Sequence, residues 1–159
     1  MNLLTRRNLL IFLFILLLFG VSVVGMYTFF TSKVPGANDF FPRWKGAQLF
    51  WQEGIDPYSQ TATEAIQRVL YGGQLARPDQ DQVLFVYPFY TVFLLWPLVN
   101  LEYAWVQAIW LVFVQFSLIG GVIATLRLLE WRQPPWLLAI TLLWSVIMYN
   151  STRTIILGQ

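Results

Sequence analysis

The sequence predicts an all-α membrane protein, a multi-span helical bundle with a helical outer loop between the first span and the next. Three observations carry that expectation: a composition too apolar for a water-facing surface, long runs free of charge, and arginines at the ends of those runs. Of the 159 residues, 57% are hydrophobic and only 11% are charged, against roughly 45–50% and about 25% in ordinary soluble domains. Apolar side chains in that excess must face lipid as well as a core. The formal charge of +2 is too small, and the basic residues too scattered, to indicate a nucleic-acid partner. Cysteine and histidine are both absent. That excludes disulfides, thiol nucleophiles, Ser-His-Asp triads, haem ligation and the usual zinc sites within this chain. Acid–base chemistry therefore falls to Asp, Glu, Tyr, Lys or Arg.

The first span is predicted over residues 9–30, which carry no charge. At 1.5 Å per residue such a helix reaches about 33 Å, enough for a hydrocarbon core of about 30 Å. A secretory leader has a shorter apolar centre followed by a small-x-small cleavage site. Here the run instead continues into Tyr27, Phe29 and Phe30, so it reads as an uncleaved anchor. Arg6 and Arg7 precede it, and the positive-inside rule places the N-terminus in the cytoplasm.

Residues 31–82 form the outer loop and hold six of the eight acidic residues. Phe40, Trp44, Ala47 and Trp51 recur at helical spacing with Arg43, Lys45 and Gln48 among them, the pattern of a helix lying in the interface with its apolar side down. Gly54 is expected to stop that helix, and Asp56-Pro57-Tyr58 reads as a turn. A second helix is expected where Thr61 and Glu64 have capping-box spacing, ending at Gly72-Gly73.

Residues 83–99 are apolar but short for a crossing, and Pro88 and Pro97 interrupt them. Cleaner spans follow at 103–126 and 136–149, separated by Arg127, Arg132 and Pro134-Pro135. If 83–99 crosses fully, the arginine-bearing loop falls outside. If it only dips into the outer leaflet, that loop is cytoplasmic, which the positive-inside rule favours. Three spans and a dipping segment enclose little interior, so the chain is expected to be the N-terminal part of a larger protein.

Asp39 is the residue on which chemistry centres. It lies about nine residues beyond the first span, ahead of the interfacial helix, where an acidic side chain invites a functional reading. A carboxylate there can take a proton from a hydroxyl whose reaction partner is anchored in the membrane. The plainer alternative is the N-cap of the helix that follows.

The run Asn38-Asp39-Phe40-Phe41, then Trp44, Gly46 and Ala47, then Gly54-Ile55-Asp56-Pro57-Tyr58 forms one phrase. Tyr87-Pro88-Phe89 follows ahead of an apolar helix, and Leu157-Gly158-Gln159 comes last. Taken together these motifs resemble the N-terminal third or so of membrane glycosyltransferases of family 87, in the glycosyltransferase-C superfamily. The resemblance implies transfer of a hexose, typically mannose, with inversion, from a polyprenyl-phosphate-linked donor to a lipid or glycan acceptor. The reaction would lie on the outer face of the plasma membrane and use no cofactor. It assigns Asp39 the role of general base and puts Tyr87 and Gln159 on the substrate side. One carboxylate suffices because lipid phosphate is a competent leaving group, whereas glycoside hydrolysis normally needs a second carboxyl as acid. Two departures are evident: Phe89 replaces the second proline of a "Y-P-P" motif, and the asparagine of a "G-Q-x-N" motif would fall beyond Gln159.

Arg43 and Lys45 are candidates for donor phosphate, although lipid head groups are the commoner partners of basic residues on interfacial helices. Arg153 is a further phosphate candidate, with snorkelling to the interface as its alternative. Asp56, Pro57, Tyr58 and Pro88 are expected to build turns rather than touch substrate. Asp39, Asp56, Asp79 and Asp81 lack the spacing of a compact metal loop, and no metal is expected. Asn150-Ser151-Thr152 matches a glycosylation acceptor, a short match common by chance. The tryptophans read as interfacial belts, with sugar stacking on Trp44 or Trp51 as the sharper alternative. A different class remains open: a transporter or flippase subunit. Such a protein would place ionisable or Gly/Pro-broken residues at mid-membrane depth, whereas here the polar chemistry gathers in the outer loop. A third reading is a truncated chain without activity.

Overall fold

The computed structural model describes residues 3–33, 36 and 39–148. Arg153, Gln159 and the Asn150-Ser151-Thr152 match lie outside the described residues. All regular structure among the described residues is helical. The order is α1 (Leu3–Met26), α2 (Phe41–Glu53), α3 (Gln60–Leu70), α4 (Tyr90–Leu94), α5 (Tyr103–Leu128) and α6 (Pro135–Ile147). A widened turn, Tyr27–Thr31, continues α1, and a 3₁₀ turn, Trp96–Leu98, follows α4. Two units emerge: one from Met1–Ala37 with Ala104–Gln159, the other from Asn38–Tyr103.

The first unit contains two helices long and apolar enough to cross a membrane, Arg6–Thr31 and Tyr103–Leu128. Most of their surface faces outward: Phe12, Phe14, Leu17 and Phe113 are all exposed. Where the helices meet, the pairing is antiparallel. Phe19 lies edge-on to Phe116, Val23 packs with Ala108 and Val112, and Tyr27 stacks on Trp105 with centroids 3.7 Å apart. The Thr31 hydroxyl then donates to the Ala104 carbonyl at 2.8 Å. Residue numbers rise on one helix as they fall on the other. The last turn of α1 widens, with Ser32 N–H reaching the Tyr27 carbonyl at 3.1 Å.

The apolar run after Pro134 forms a helix within two residues of the expected bounds of 136–149: α6 has 13 residues, about 20 Å of helix. Pro135 opens it. At its end Met148 has left helical geometry, with φ −52° and ψ 140°.

The second unit is built on α2, whose apolar stripe meets protein rather than lipid. Phe40, Phe41, Trp44 and Ala47 are buried, with Tyr103 edge-on to Phe41 at 4.9 Å and 5.1 Å from Trp44. The expected interfacial orientation of that face is therefore corrected. Residues 83–99 hold no long helix. They fold as a loop, α4 and the 3₁₀ turn, and α2 side chains close their free carbonyls. Trp44 Nε1 donates to Leu98 O at 3.2 Å, Trp51 Nε1 to Val92 O at 2.9 Å, and Gln48 Nε2 to Val99 O at 3.2 Å. Short helices leave many such orphan carbonyls, and burying them unpaired is costly.

Helix boundaries follow local chemistry, with two corrections. Gly54 ends α2 with φ +68°, a left-handed conformation that glycine adopts without strain. Gly72 and Gly73 likewise follow α3 with positive φ. Asp39 is not the N-cap of α2. That position is Phe40, itself in helical geometry and without a side-chain cap bond. Burial of Phe40 and Phe41 with Pro42 in the first turn fixes the start. The cap of α3 is Ser59, whose hydroxyl accepts from Ala62 N–H at 3.2 Å, rather than Thr61. Glu64 pairs along the helix with Arg68 at 3.7 Å instead.

Candidate functional site

Asp39, the first residue of the expected constellation, lies in the turn just ahead of α2 and lines a cavity of about 450 Å³. Tyr87 lines the same cavity, and Tyr58 and Phe85 support Tyr87 from behind the lining. The Tyr87 hydroxyl donates to the Asp39 carbonyl at 2.7 Å, and the Tyr58 hydroxyl donates to the Tyr87 carbonyl at 2.5 Å. Phe85 is buried between them, edge-on to Tyr58 at 5.1 Å and to Tyr87 at 5.7 Å. The segments around Asp39, Tyr58 and Tyr87 are thus tied to one another by two hydrogen bonds and a shared ring.

Gly46 makes the Phe85 position possible. A Cβ at residue 46 would stand 2.5 Å from the ring's Cδ2, far inside van der Waals contact. Glycine at this point of α2 allows the loop segment carrying Phe85 and Tyr87 to lie against the helix.

Asp56-Pro57-Tyr58 forms the expected turn. The Asp56 carboxylate accepts from Tyr58 N–H at 2.9 Å, and the Asp56 carbonyl accepts from Ser59 N–H at 3.0 Å. Pro57 is buried. This turn aims Tyr58 at Tyr87. Pro88 works in a similar way for α4: its carbonyl accepts from Thr91 N–H at 3.0 Å and from the Thr91 hydroxyl at 2.7 Å. Phe89, standing where the "Y-P-P" motif has its second proline, packs edge-on to Phe50 at 5.3 Å and to Phe93 at 5.6 Å.

The two basic candidates on α2 separate. The Arg43 guanidinium lies over the Tyr87 ring at 4.1 Å, a cation–π contact. Its Nε is buried with no hydrogen-bond acceptor. Lys45 is engaged elsewhere, donating to Gln48 Oε1 at 2.7 Å; neither basic residue lines the cavity itself, and Arg43 reaches it only through the Tyr87 ring. Trp44 and Trp51 both spend their indole N–H on main-chain carbonyls. Trp44 is buried and presents no stacking platform.

Asp81 and Tyr71 join the cavity wall, although neither is among the site residues the sequence predicts. The Tyr71 hydroxyl donates to the Asp81 carbonyl at 2.7 Å. No local signal marks either residue, because each reaches the cavity only through closure of the loop after α3. Asp79, by contrast, is exposed and pairs with Arg77 at 3.7 Å. Pro42, Leu70, Val83, Leu84 and Val86 complete a lining that combines apolar residues with two acidic residues and two tyrosines. Such a mixed lining suits a ligand that carries both hydroxyls and hydrocarbon. Among the described residues no group of three or more Asp or Glu is placed to hold a metal ion.

Among known proteins, no family model, no curated protein and no solved structure matches the chain.

Proposed function

We propose that this protein is a membrane glycosyltransferase of the family 87 type, moving a hexose from a polyprenyl-phosphate donor to an acceptor hydroxyl at the outer membrane face. The observation that carries the reading is the position of Asp39: an acidic residue lining a cavity, its main chain tethered by Tyr87. In the reaction the acceptor O–H gives its proton to the Asp39 carboxylate while its oxygen attacks the anomeric carbon. The bond from that carbon to the phosphate oxygen breaks, polyprenyl phosphate leaves with the electron pair, and configuration inverts. A base pre-positioned within hydrogen-bond reach typically contributes about 10²–10⁴-fold to rate. Arg43 is the residue for the donor phosphate, since its buried Nε lacks an acceptor and charge-assisted bonds to phosphate are strong.

The membrane arrangement follows from charge and pairing. Arg6 and Arg7 at one end of α1, and Arg127 in the last turn of α5 with Arg132 just beyond it, belong on the cytoplasmic side. The antiparallel pairing of Thr31 with Ala104 supports this, because it starts and ends the intervening segment on one side of the bilayer. Residues 83–99 then dip rather than cross. Tyr90, Phe93, Leu94 and Trp96 are exposed on one short stretch, a composition suited to the interface.

The test supplies membranes bearing the protein with radiolabelled polyprenyl-phosphate mannose, and in parallel with nucleotide-linked mannose. Transfer from the lipid-linked donor alone, with an inverted product linkage, is the expected result. No transfer from any lipid-linked hexose, in membranes where the protein is inserted, would remove the proposal.

A further inference from the structure

About 35 Å along α5 from Ala104, the turn leading into α6 borders a second, open cavity, of about 710 Å³. Arg127, Glu130, Arg132 and Gln133 line it together with Ile123, Leu126, Trp131 and Leu138. Among the described residues none of its three charged groups makes an ion pair, and Gln133 Oε1 is buried without a hydrogen-bond partner. The turn itself is a Schellman closure: Trp131 N–H reaches Leu126 O at 3.0 Å, and Glu130 N–H reaches Arg127 O at 3.1 Å. Glu130 therefore takes the left-handed position, with φ +51°. Glycine occupies that position without strain, and a longer side chain held there points to a use for the side chain.

We propose that this cavity binds the headgroup of a glycerophospholipid bearing a phosphodiester and, beyond it, a primary ammonium. Arg127 and Arg132 hold the phosphate, with Arg127 in the last turn of α5, while Glu130 and the Gln133 Oε1 accept from the ammonium. An acyl chain follows Ile123, Leu126 and Leu138. Both signs of a zwitterionic head find a partner: guanidinium groups for the phosphate and a carboxylate for the amine. A lipid rather than a soluble phosphate fits the apolar part of the lining and the exposed Trp131 and Trp136 flanking the turn, since basic pockets beside membrane helices are headgroup sites. The site is separate from the Asp39 cavity and does not depend on the proposed transfer reaction.

The experiment measures retention of phosphatidylethanolamine, phosphatidylcholine and inorganic phosphate by the full chain in detergent micelles, using native mass spectrometry and thermal unfolding. Losing a charge-assisted hydrogen bond corresponds to about tenfold in affinity, so ethanolamine lipid should be retained about that much better than choline lipid. Arg127→Gln and Arg132→Gln should weaken both lipids. Glu130→Gly should erase the difference between them, and should also raise the unfolding temperature of lipid-free protein by relieving the left-handed strain, which shows that the variant is folded. Equal retention of the two lipids by the unaltered chain would overturn the proposal. So would inorganic phosphate binding as well as either lipid.

Discussion

The Tyr87 hydroxyl donates a 2.7 Å hydrogen bond to the carbonyl oxygen of Asp39, joining residues 48 apart in the chain. It ties the proposed base to the segment that leads into α4. Tyr87→Phe removes the donor and keeps the ring that carries Arg43 and packs on Phe85. Loss of a single neutral hydrogen bond is worth about 1 kcal/mol. Transfer rate should therefore fall about fivefold to tenfold with little change in the apparent affinity for donor. A steady-state assay separating kcat from KM checks this.

Gly46→Ala places a methyl group against the Phe85 ring, 2.5 Å from Cδ2 if nothing moves. The ring or the α2 backbone must shift, at a cost of about 1–3 kcal/mol. The expected result is a lower thermal midpoint, and slower transfer because Phe85 supports both Tyr58 and Tyr87. Gly25→Ala, with open space around its Cβ, is the control and should leave both measurements unchanged.

Arg43 and Lys45 are predicted to diverge, although they stand two residues apart. Arg43→Ala removes the guanidinium that lies on Tyr87 and should raise the KM for the lipid-linked donor about tenfold, the scale of one charge-assisted hydrogen bond. Lys45→Ala removes a contact to Gln48 and should leave the donor titration unchanged. Equal effects of the two variants would favour a general role in binding lipid head groups.

Single cysteines introduced at residues 128–133 of this cysteine-free chain should react with a membrane-impermeant maleimide only after the membrane is opened. Single cysteines in the loop after α3, for instance at Gln74, should react from outside. Labelling of the 128–133 positions from outside would reverse the orientation and make residues 83–99 a full crossing.

Much of the helical framework is legible in the sequence because its determinants are local. Uncharged runs predict the two long helices, Gly54 and Gly72-Gly73 end α2 and α3, and the Asp56 turn forms with its own side chain closing it. The departures have a common cause. Asp39 and Thr61 have the right residue type and spacing for caps, but burial of Phe40 and Phe41 and the hydroxyl of Ser59 fix the helix starts instead. The stripe of Phe40, Trp44 and Ala47 has the period of a membrane-facing helix. Periodicity alone does not distinguish lipid from a protein neighbour, and here Tyr103 and the carbonyls of residues 92–99 cover the face. Asp81 and Tyr71 enter the cavity through chain closure over about ten residues, which no short motif encodes.

The most direct measurement compares hexose transfer by Asp39→Asn and by the unaltered protein, in membranes where both are inserted in equal amount. Asparagine keeps the size of the side chain and the main-chain carbonyl that Tyr87 holds, and removes the group that accepts the proton. Transfer should fall by about 10²-fold or more while donor binding persists. Turnover at the unaltered rate would contradict the account.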